Sequence, residues 1–475
     1  VPYYSVIPEA SDRRRLGLVP IDLTNCMVEP NPEGVKSRSK YVIVGTPGRT
    51  RLAELPGFVR GIYSQPGVQD GTLFAAAGSA VFSISSTWAE TSIGSITGAD
   101  TVQFTDFRSD LALAAAGTMY HWDGATYSTV TDTNAPSPVG SLTSAGYRLI
   151  ASQTPGDAFG WCKPGLFNDW DPNGVAANFD LPDPIVGQGQ QGGDLISFGS
   201  RSIQRWRPTG GSESEAFSPI ASGLQNMGLA GRDLVAPLDG GLAFVNDRGQ
   251  PGWIGGGAPR TWDHRAFADD FMRLSTSARE NALGWAYQEG EVGMYGVRAT
   301  GMPKAYVYDT STRLWHQRER YGYSTTYDVG FSTRVYDSIV CASPELPYIW
   351  ALSRDVFTDD GDPIIRTMTV RAELPDDMTI WNMALDIRVM DQPLSGQGSA
   401  PVAMLTYSRD GGQTWSDDWG DVREIALPGA GVYDARPAEW QFGLFYRAHG
   451  AMFRLRISDP VRFAIQGLWL NESAR

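Results

Sequence analysis

The sequence is short of cysteine, histidine, basic charge and long apolar runs, and each shortage removes a class of protein. Its three cysteines, Cys26, Cys162 and Cys341, lie far apart and in no C-x-x-C pattern. Neither a disulfide framework nor a zinc knuckle is indicated, and buried free thiols are expected. The four histidines, His121, His264, His316 and His449, show no H-E-x-x-H or i, i+4 spacing, which favours packing or surface roles over a metal site. With a formal charge of −14, the chain lacks the cation excess that a nucleic-acid clamp uses to displace counterions from phosphates. A surface over which DNA slides without sticking and an ordinary soluble surface both fit that balance. No stretch is apolar enough to span a bilayer, and the opening VPYYSVIPEASDRRR has no basic region followed by an apolar run. No membrane segment is expected, and assembly in a cytosol is. P-loop, G-x-S-x-G and dinucleotide fingerprints are missing too, so no cofactor is expected.

What the chain does have is glycine (54), proline (30) and aromatic residues (15 Trp, 19 Tyr, 19 Phe), the composition of a turn-rich, well-cored all-β protein. The stretch LALAAAGTMYHWDG, Leu111 to Gly124, reads as one unit of a repeat. Its Leu113 to Gly117 lies over Phe74 to Gly78, and Leu195 to Gly199 is a third copy. Short apolar runs ending in glycine suit two adjacent strands of a small sheet. Such units at roughly 40 to 50 residue spacing are the signature of β-propeller blades.

Taken in order, residues 1–20 read as a polar arm, with Arg13, Arg14 and Arg15 as a docking patch or a solvated terminus. A propeller body is expected over 21–358, in about seven blades: 58–98, 99–134, 137–180, 183–219, 221–266, 282–321 and 323–355. Trp161 and Trp170 read as packed or rim aromatics, and Arg60 as a bridge between blades or a solvated side chain. Ser277 and Glu280 have capping-box spacing for a short helix over 277–286. Pro47-Gly48 reads as a turn in which Gly48 is free to take positive φ. Past the DDGDP turn the strands lengthen, so 359–475 is expected to be a separate, β-sandwich-like domain. There Phe453, Leu455 and Ile457 alternate with Arg454 and Arg456, and Val461, Phe463 and Ile465 with Arg462, across Asp459-Pro460. That period of two suits a sandwich hairpin or a sheet corner.

Several of these motifs in this order resemble the tail hub (nozzle), or packaged-DNA stabilisation, family of short-tailed phages. They are the Asp22 and Asn25 opening, the turn through Glu29 and Pro32, Lys36 to Lys40, Thr46-Pro47-Gly48, Val59-Arg60-Gly61, RLSTSARENALGWAY ahead of the Y-D-x-x-T-x-x-W hairpin, and R-x-R-I-S-D-P-V near the end. The resemblance implies a structural protein of the virion tail, assembled in the host cytoplasm as a homo-hexameric ring. A head-to-tail adaptor of the portal complex would lie above it, tail fibres or spikes around it and a plug or needle below. Double-stranded DNA would be retained by the ring and later pass through its lumen without specific binding.

The sharpest enzyme-like signal is SRDGGQTW, which fits the Asp-box of sialidase-type propellers: Ser408, Asp410, Gly412, Thr414 and Trp415. An Asp-box is a hairpin turn in which the aspartate takes backbone N–H groups and the tryptophan anchors the turn in the core, so it reads as structural. The carboxylate pairs Asp269-Asp270, Asp376-Asp377 and Asp417-Asp418 are adjacent in sequence, which places neither member across a glycosidic bond from the other. No catalytic residue is therefore assigned. A sialidase-like propeller glycoside hydrolase and a glycan- or peptide-binding propeller adaptor remain the alternatives to the tail reading.

Overall fold

A continuous apolar run makes LALAAAG the second strand of a four-stranded antiparallel meander: Asp110–Ala115 pairs with Thr118–Trp122 on one side and Gln103–Phe107 on the other. The other two copies occupy the same place, as Leu73–Ala77 and Asp194–Gly199 are each the second strand of their sheets. A second strand has neighbours on both edges and both faces, which is why its run is apolar throughout and fully buried. These positions come from a computed structural model that describes residues 18–31, 40–177, 183–220, 223–323, 326–372, 380–432, 438–445 and 451–470.

The chain forms two compact units, one of residues 51–311 and 323–352, the other of residues up to 50, 312–322 and 353–475. The expected boundary is corrected accordingly. Residues 21–50 lie with the C-terminal region and not with the propeller body, because their strands hydrogen-bond to strands of 366–372 and 462–470.

Within the first unit the sheets follow one another along the chain, each opening on a first strand: Val59–Tyr63, Gln103–Phe107, Val139–Ala145, Ile185–Gln191, Ala236–Leu238, Leu283–Glu289 and Phe331–Val335. First strands of successive sheets are neighbours, except that the fourth meets the second strand of the fifth sheet and the Arg232–Leu234 turn, and that of the last sheet touches that of the first, so the series closes on itself as a β-propeller. Closure is helped by chain ends: residues 51–54 supply the outer strand beside Tyr348–Ser353, and Leu55 N donates to Pro347 O at 2.7 Å. First strands approach the neighbouring sheets closely. A Cβ on Gly61 would lie 2.6 Å from Val102 O, and one on Gly284 2.7 Å from Leu234 O.

Between sheets the contacts are side-chain packing and a few polar ties. Phe198 and Phe244, both wholly buried, meet with ring centroids 5.5 Å apart across the fourth and fifth sheets. Arg60 is buried and ties its own sheet to the connection into the next, donating to the carbonyls of Gly78 (2.8 Å), Thr97 (3.0 Å) and Asp100 (2.7 Å). Trp161 and Trp170 are buried, with indole N–H groups on Glu213 O and Phe167 O. The helix expected over 277–286 is Thr276–Glu280, capped by Ser275 and not Ser277, and Leu283–Glu289 is already strand. A longer helix before it, Arg265–Arg273, has His264 Nδ1 accepting from Phe267 N at 3.0 Å as its cap. Histidine is not among the usual capping residues, so its sequence gave no start signal.

The second unit is a sandwich of two sheets. One runs Trp315–Arg318, Leu18–Thr24, Arg366–Ala372, Met452–Ile457, Val402–Ser408, Arg423–Ala426; the other runs Cys26–Pro30, Tyr41–Gly45, Arg462–Leu470, Ile380–Asp391, Ala438–Phe445. Met368, Leu405, Phe453 and Leu455 from one sheet and Ile43, Leu385, Phe463 and Leu468 from the other share a single core. The two C-terminal strands joined at Asp459-Pro460 lie in different sheets, so that junction is a corner and not a hairpin.

A second corner lies at Asn25, between Leu18–Thr24 in one sheet and Cys26–Pro30 in the other. It is buried with φ +53°, a left-handed conformation that asparagine tolerates better than most residues. Its Nδ2 donates to Glu319 O and Ile365 O, each at 3.0 Å, and its Oδ1 accepts from Glu319 N at 3.0 Å. Gly48 corrects an expectation, since its φ is not positive. Glycine is needed there because a Cβ would lie 2.4 Å from the carbonyl oxygens of Val356 and Thr358.

Candidate interaction site in the propeller axis

First strands carry the polar residues of the propeller unit inward, where the apolar second strands cannot. Two cavities lie at the axis, of about 350 and 740 Å³, and the smaller is lined by residues of all seven sheets. Thr101, Arg232 and Asp233 line both. Thr101 precedes the second sheet and the Arg232–Leu234 turn precedes the fifth, so their side chains meet from well-separated parts of the ring. Arg232 Nη2 donates to Thr101 Oγ1 at 2.5 Å, Thr101 Oγ1 donates to Asp233 Oδ2 at 2.5 Å, and Arg232 Nε donates to Asp233 Oδ1 at 3.1 Å. Arg232 also reaches Gly140 O in the first strand of the third sheet, at 3.5 Å. The cluster is a polar junction shared by the walls of the two cavities.

Chemically, the axis is poor in the groups catalysis requires. Arg232 is spent on Asp233 and Thr101, and Arg298, at the mouth of the larger cavity, pairs with Glu345. No group of three or more metal-ligating side chains occurs among the described residues. Histidines serve packing: His121 stacks on Phe167 with centroids 4.0 Å apart and bonds Asp110 at 3.0 Å, while His316 is buried with Arg318 Nε donating to its Nε2 at 3.3 Å. Burial and the adjacent guanidinium push the His316 pKa well below the usual value. His449 and Asp376-Asp377 lie outside the described residues. Asp270 accepts from Tyr306 Oη at 2.6 Å, and Asp417 faces Arg454 and Arg456 at 3.8 and 3.4 Å. Cys26, Cys162 and Cys341 are buried free thiols, and desolvation raises the first two to about 12.

The Asp-box closes a loop of the sandwich unit. Asp410 Oδ1 accepts from Gln413 N (2.9 Å), Thr414 N (3.0 Å) and Ser408 Oγ (2.7 Å), and Oδ2 from Thr414 Oγ1 (2.6 Å). Ser408 Oγ accepts from Gly412 N at 2.9 Å, and Gly412 takes φ +94°. These bonds hold the Asp410 carboxyl well below its usual pKa, the Thr414 hydroxyl foremost. Trp415 departs from expectation: it is half-buried, not sunk in the core, and lies under the Arg454 guanidinium at 3.7 Å. The arginines opposite the apolar set of that strand thus cover the loop instead of facing only water. Arg13, Arg14 and Arg15 lie outside the described residues. The axial cluster itself went unnoticed in the sequence, and the one available signal was the adjacent Arg232-Asp233 pair.

Comparison with known proteins gives one family. Residues 21–252 match the phage stabilisation family, described as bacteriophage P22 Gp10, β-propeller. No curated protein matches. Among solved structures, PorZ of the type-IX secretion system of Porphyromonas gingivalis is 11% identical with a TM-score of 0.38, over 69% of this chain and 39% of that one. The structure of U3-55K is 10% identical with a TM-score of 0.42, over 64% of this chain and 99% of that one. The extracellular domain of the two-component system BT4673 from B. thetaiotaomicron is 10% identical with a TM-score of 0.44, over 71% and 42%. Residues 21–252, which span the opening strands of the sandwich and the first propeller sheets, are thus similar to the phage packaged-DNA stabilisation family.

Proposed function

We propose that this protein is the hub, or nozzle, of a short phage tail: six copies in a ring below the portal and its head-to-tail adaptor, retaining packaged DNA and forming its conduit on ejection. The family match over 21–252 carries this reading. Two physical features support it. The cavities at the axis of the individual propeller, about 350 and 740 Å³ and both bordered by the Arg232–Asp233–Thr101 cluster, are small for a duplex, so DNA would travel between copies and not through one. An acidic chain of formal charge −14 gives a conduit wall few phosphate contacts, which favours passage over binding. Head-to-tail contacts between copies are heterologous and close into a ring only if the rotation per copy divides the circle. Residues 1–20, with Arg13 to Arg15, would be a docking arm for a neighbour, and fibres or spikes would attach to the outside of the ring. Cryo-electron microscopy of the particle tests the proposal. A ring of this chain around the DNA path below the adaptor is the expected result, with particles lacking the gene losing their packaged DNA. Absence of the chain from the tail, or a monomer hydrolysing a fluorogenic sugar, would overturn it.

A further inference from the structure

In the sandwich unit a guanidinium is buried without a counter-charge. Arg366 opens the strand Arg366–Ala372 and is 1% exposed. Its Nη1 donates to Asp459 O at 3.3 Å and its Nη2 to Phe357 O at 3.2 Å, while its Nε has no partner. Among the described residues no carboxylate forms an ion pair with it. The group remains a cation at neutral pH, since burial lowers its pKa only to about 10. Burying a charge without compensation costs several kcal/mol, and a single-partner deficit of this kind is normally met by a counter-ion.

Beside it lies a cavity of about 50 Å³, lined by Arg366, Arg354, Arg462 and Glu29 together with apolar side chains of Met27, Phe357 and Phe463. Of the three guanidinium groups there, Arg354 pairs with Glu29 and Arg462 with Asp355 at 3.5 Å, which leaves Arg366 as the one with no carboxylate among the described residues. Gly45 also lines the space, and a Cβ on it would lie 2.4 Å from Arg366 Nε. The missing side chain therefore gives the guanidinium its place at the cavity wall. One water needs roughly 10–15 Å³ on the same measure, so the cavity holds an ion of one to four heavy atoms and excludes a nucleotide.

We propose that this cavity is a binding site for one small monovalent anion, a halide or a short carboxylate, held by Arg366 Nε and neutralising the buried guanidinium. The site is independent of the tail reading, because it rests on the sandwich core alone. The test uses the full chain with bromide as probe. Crystals grown in bromide should show an anomalous peak within hydrogen-bonding distance of Arg366 Nε. In solution, exchange of a large anion such as gluconate for bromide should raise the melting temperature saturably, by about 2–4 °C. Formate in place of bromide distinguishes the carboxylate from the halide. Arg366→Gln should abolish the shift; if that variant does not fold, Arg462→Gln, at the cavity rim, should weaken bromide affinity several-fold. Water alone at Nε, or a peak without a saturable shift, would overturn the proposal.

Discussion

Every sheet of the propeller unit begins as a meander of strands consecutive in the chain, whereas the sandwich unit draws its two sheets from three separate segments. In the propeller, the pairing of Asp110–Ala115 with Thr118–Trp122 is settled by a two-residue turn. In the sandwich, Leu18–Thr24 pairs with Arg366–Ala372 across more than three hundred residues, and only a shared core fixes that register. Local closure costs little entropy and non-local closure must be repaid by packing. The propeller should therefore fail sheet by sheet where side chains between sheets are lost, and the sandwich should fail as a whole when any segment is withheld.

The largest expected effect is on that second statement. A chain starting at residue 51 lacks the strand between Trp315–Arg318 and Arg366–Ala372 and the two strands beside Arg462–Leu470. Residues 353–475 should then lose protease resistance entirely; retention of a protected C-terminal fragment would break the comparison. Next come core truncations. Phe198→Ala should cost about 3–5 kcal/mol and Leu405→Ala about 2–5 kcal/mol by denaturant titration. They should differ in reach: amide exchange should rise mainly in the fourth and fifth propeller sheets for the first, and throughout both sandwich sheets for the second. Arg60→Leu tests the polar tie from a propeller sheet to the connection into the next. Leaving the carbonyls of Gly78, Thr97 and Asp100 without their donor should cost about 2–3 kcal/mol, and an unchanged midpoint would assign cohesion to apolar packing alone.

The smallest effect is a pH dependence. His316 is neutral and buried, with a folded pKa well below 6.5. Above that value neither state binds a proton there. As pH falls below it the unfolded chain takes one up and the folded chain does not, so stability drops with acid, by at most about 1.4 kcal/mol per pH unit. His316→Gln should flatten the profile between pH 6.5 and the onset of carboxylate titration. An identical slope in wild type and variant would place the proton uptake elsewhere.

Legibility follows the same division. The repeats at Leu73–Ala77, Asp110–Ala115 and Asp194–Gly199 could be recognised because a doubly covered strand must be apolar throughout, and the meander around each is local. Asn25 could be noticed but not interpreted, and the Asp459-Pro460 junction could be narrowed to a hairpin or a corner but not decided, since a chain crossing between sheets looks like any turn until the sheets are known. The axial cluster and the Arg366 cavity were hidden for a related reason. Arg232 meets Thr101, and Arg366 meets Asp459 and Phe357, through ring closure and sheet stacking, and neither leaves a spacing in the sequence.

By itself, then, the sequence determined an all-β chain, the local meanders of its propeller repeats, the turn at Ser408 to Thr414 and a family resemblance over residues 21–252, because each is written in local periodicity or short motifs. Tertiary structure alone decided that residues 21–50 join the sandwich, that Arg232, Asp233 and Thr101 meet at the propeller axis, and that Arg366 is buried against backbone carbonyls. Those depend on which distant segments pack together, and packing is a property of the whole chain.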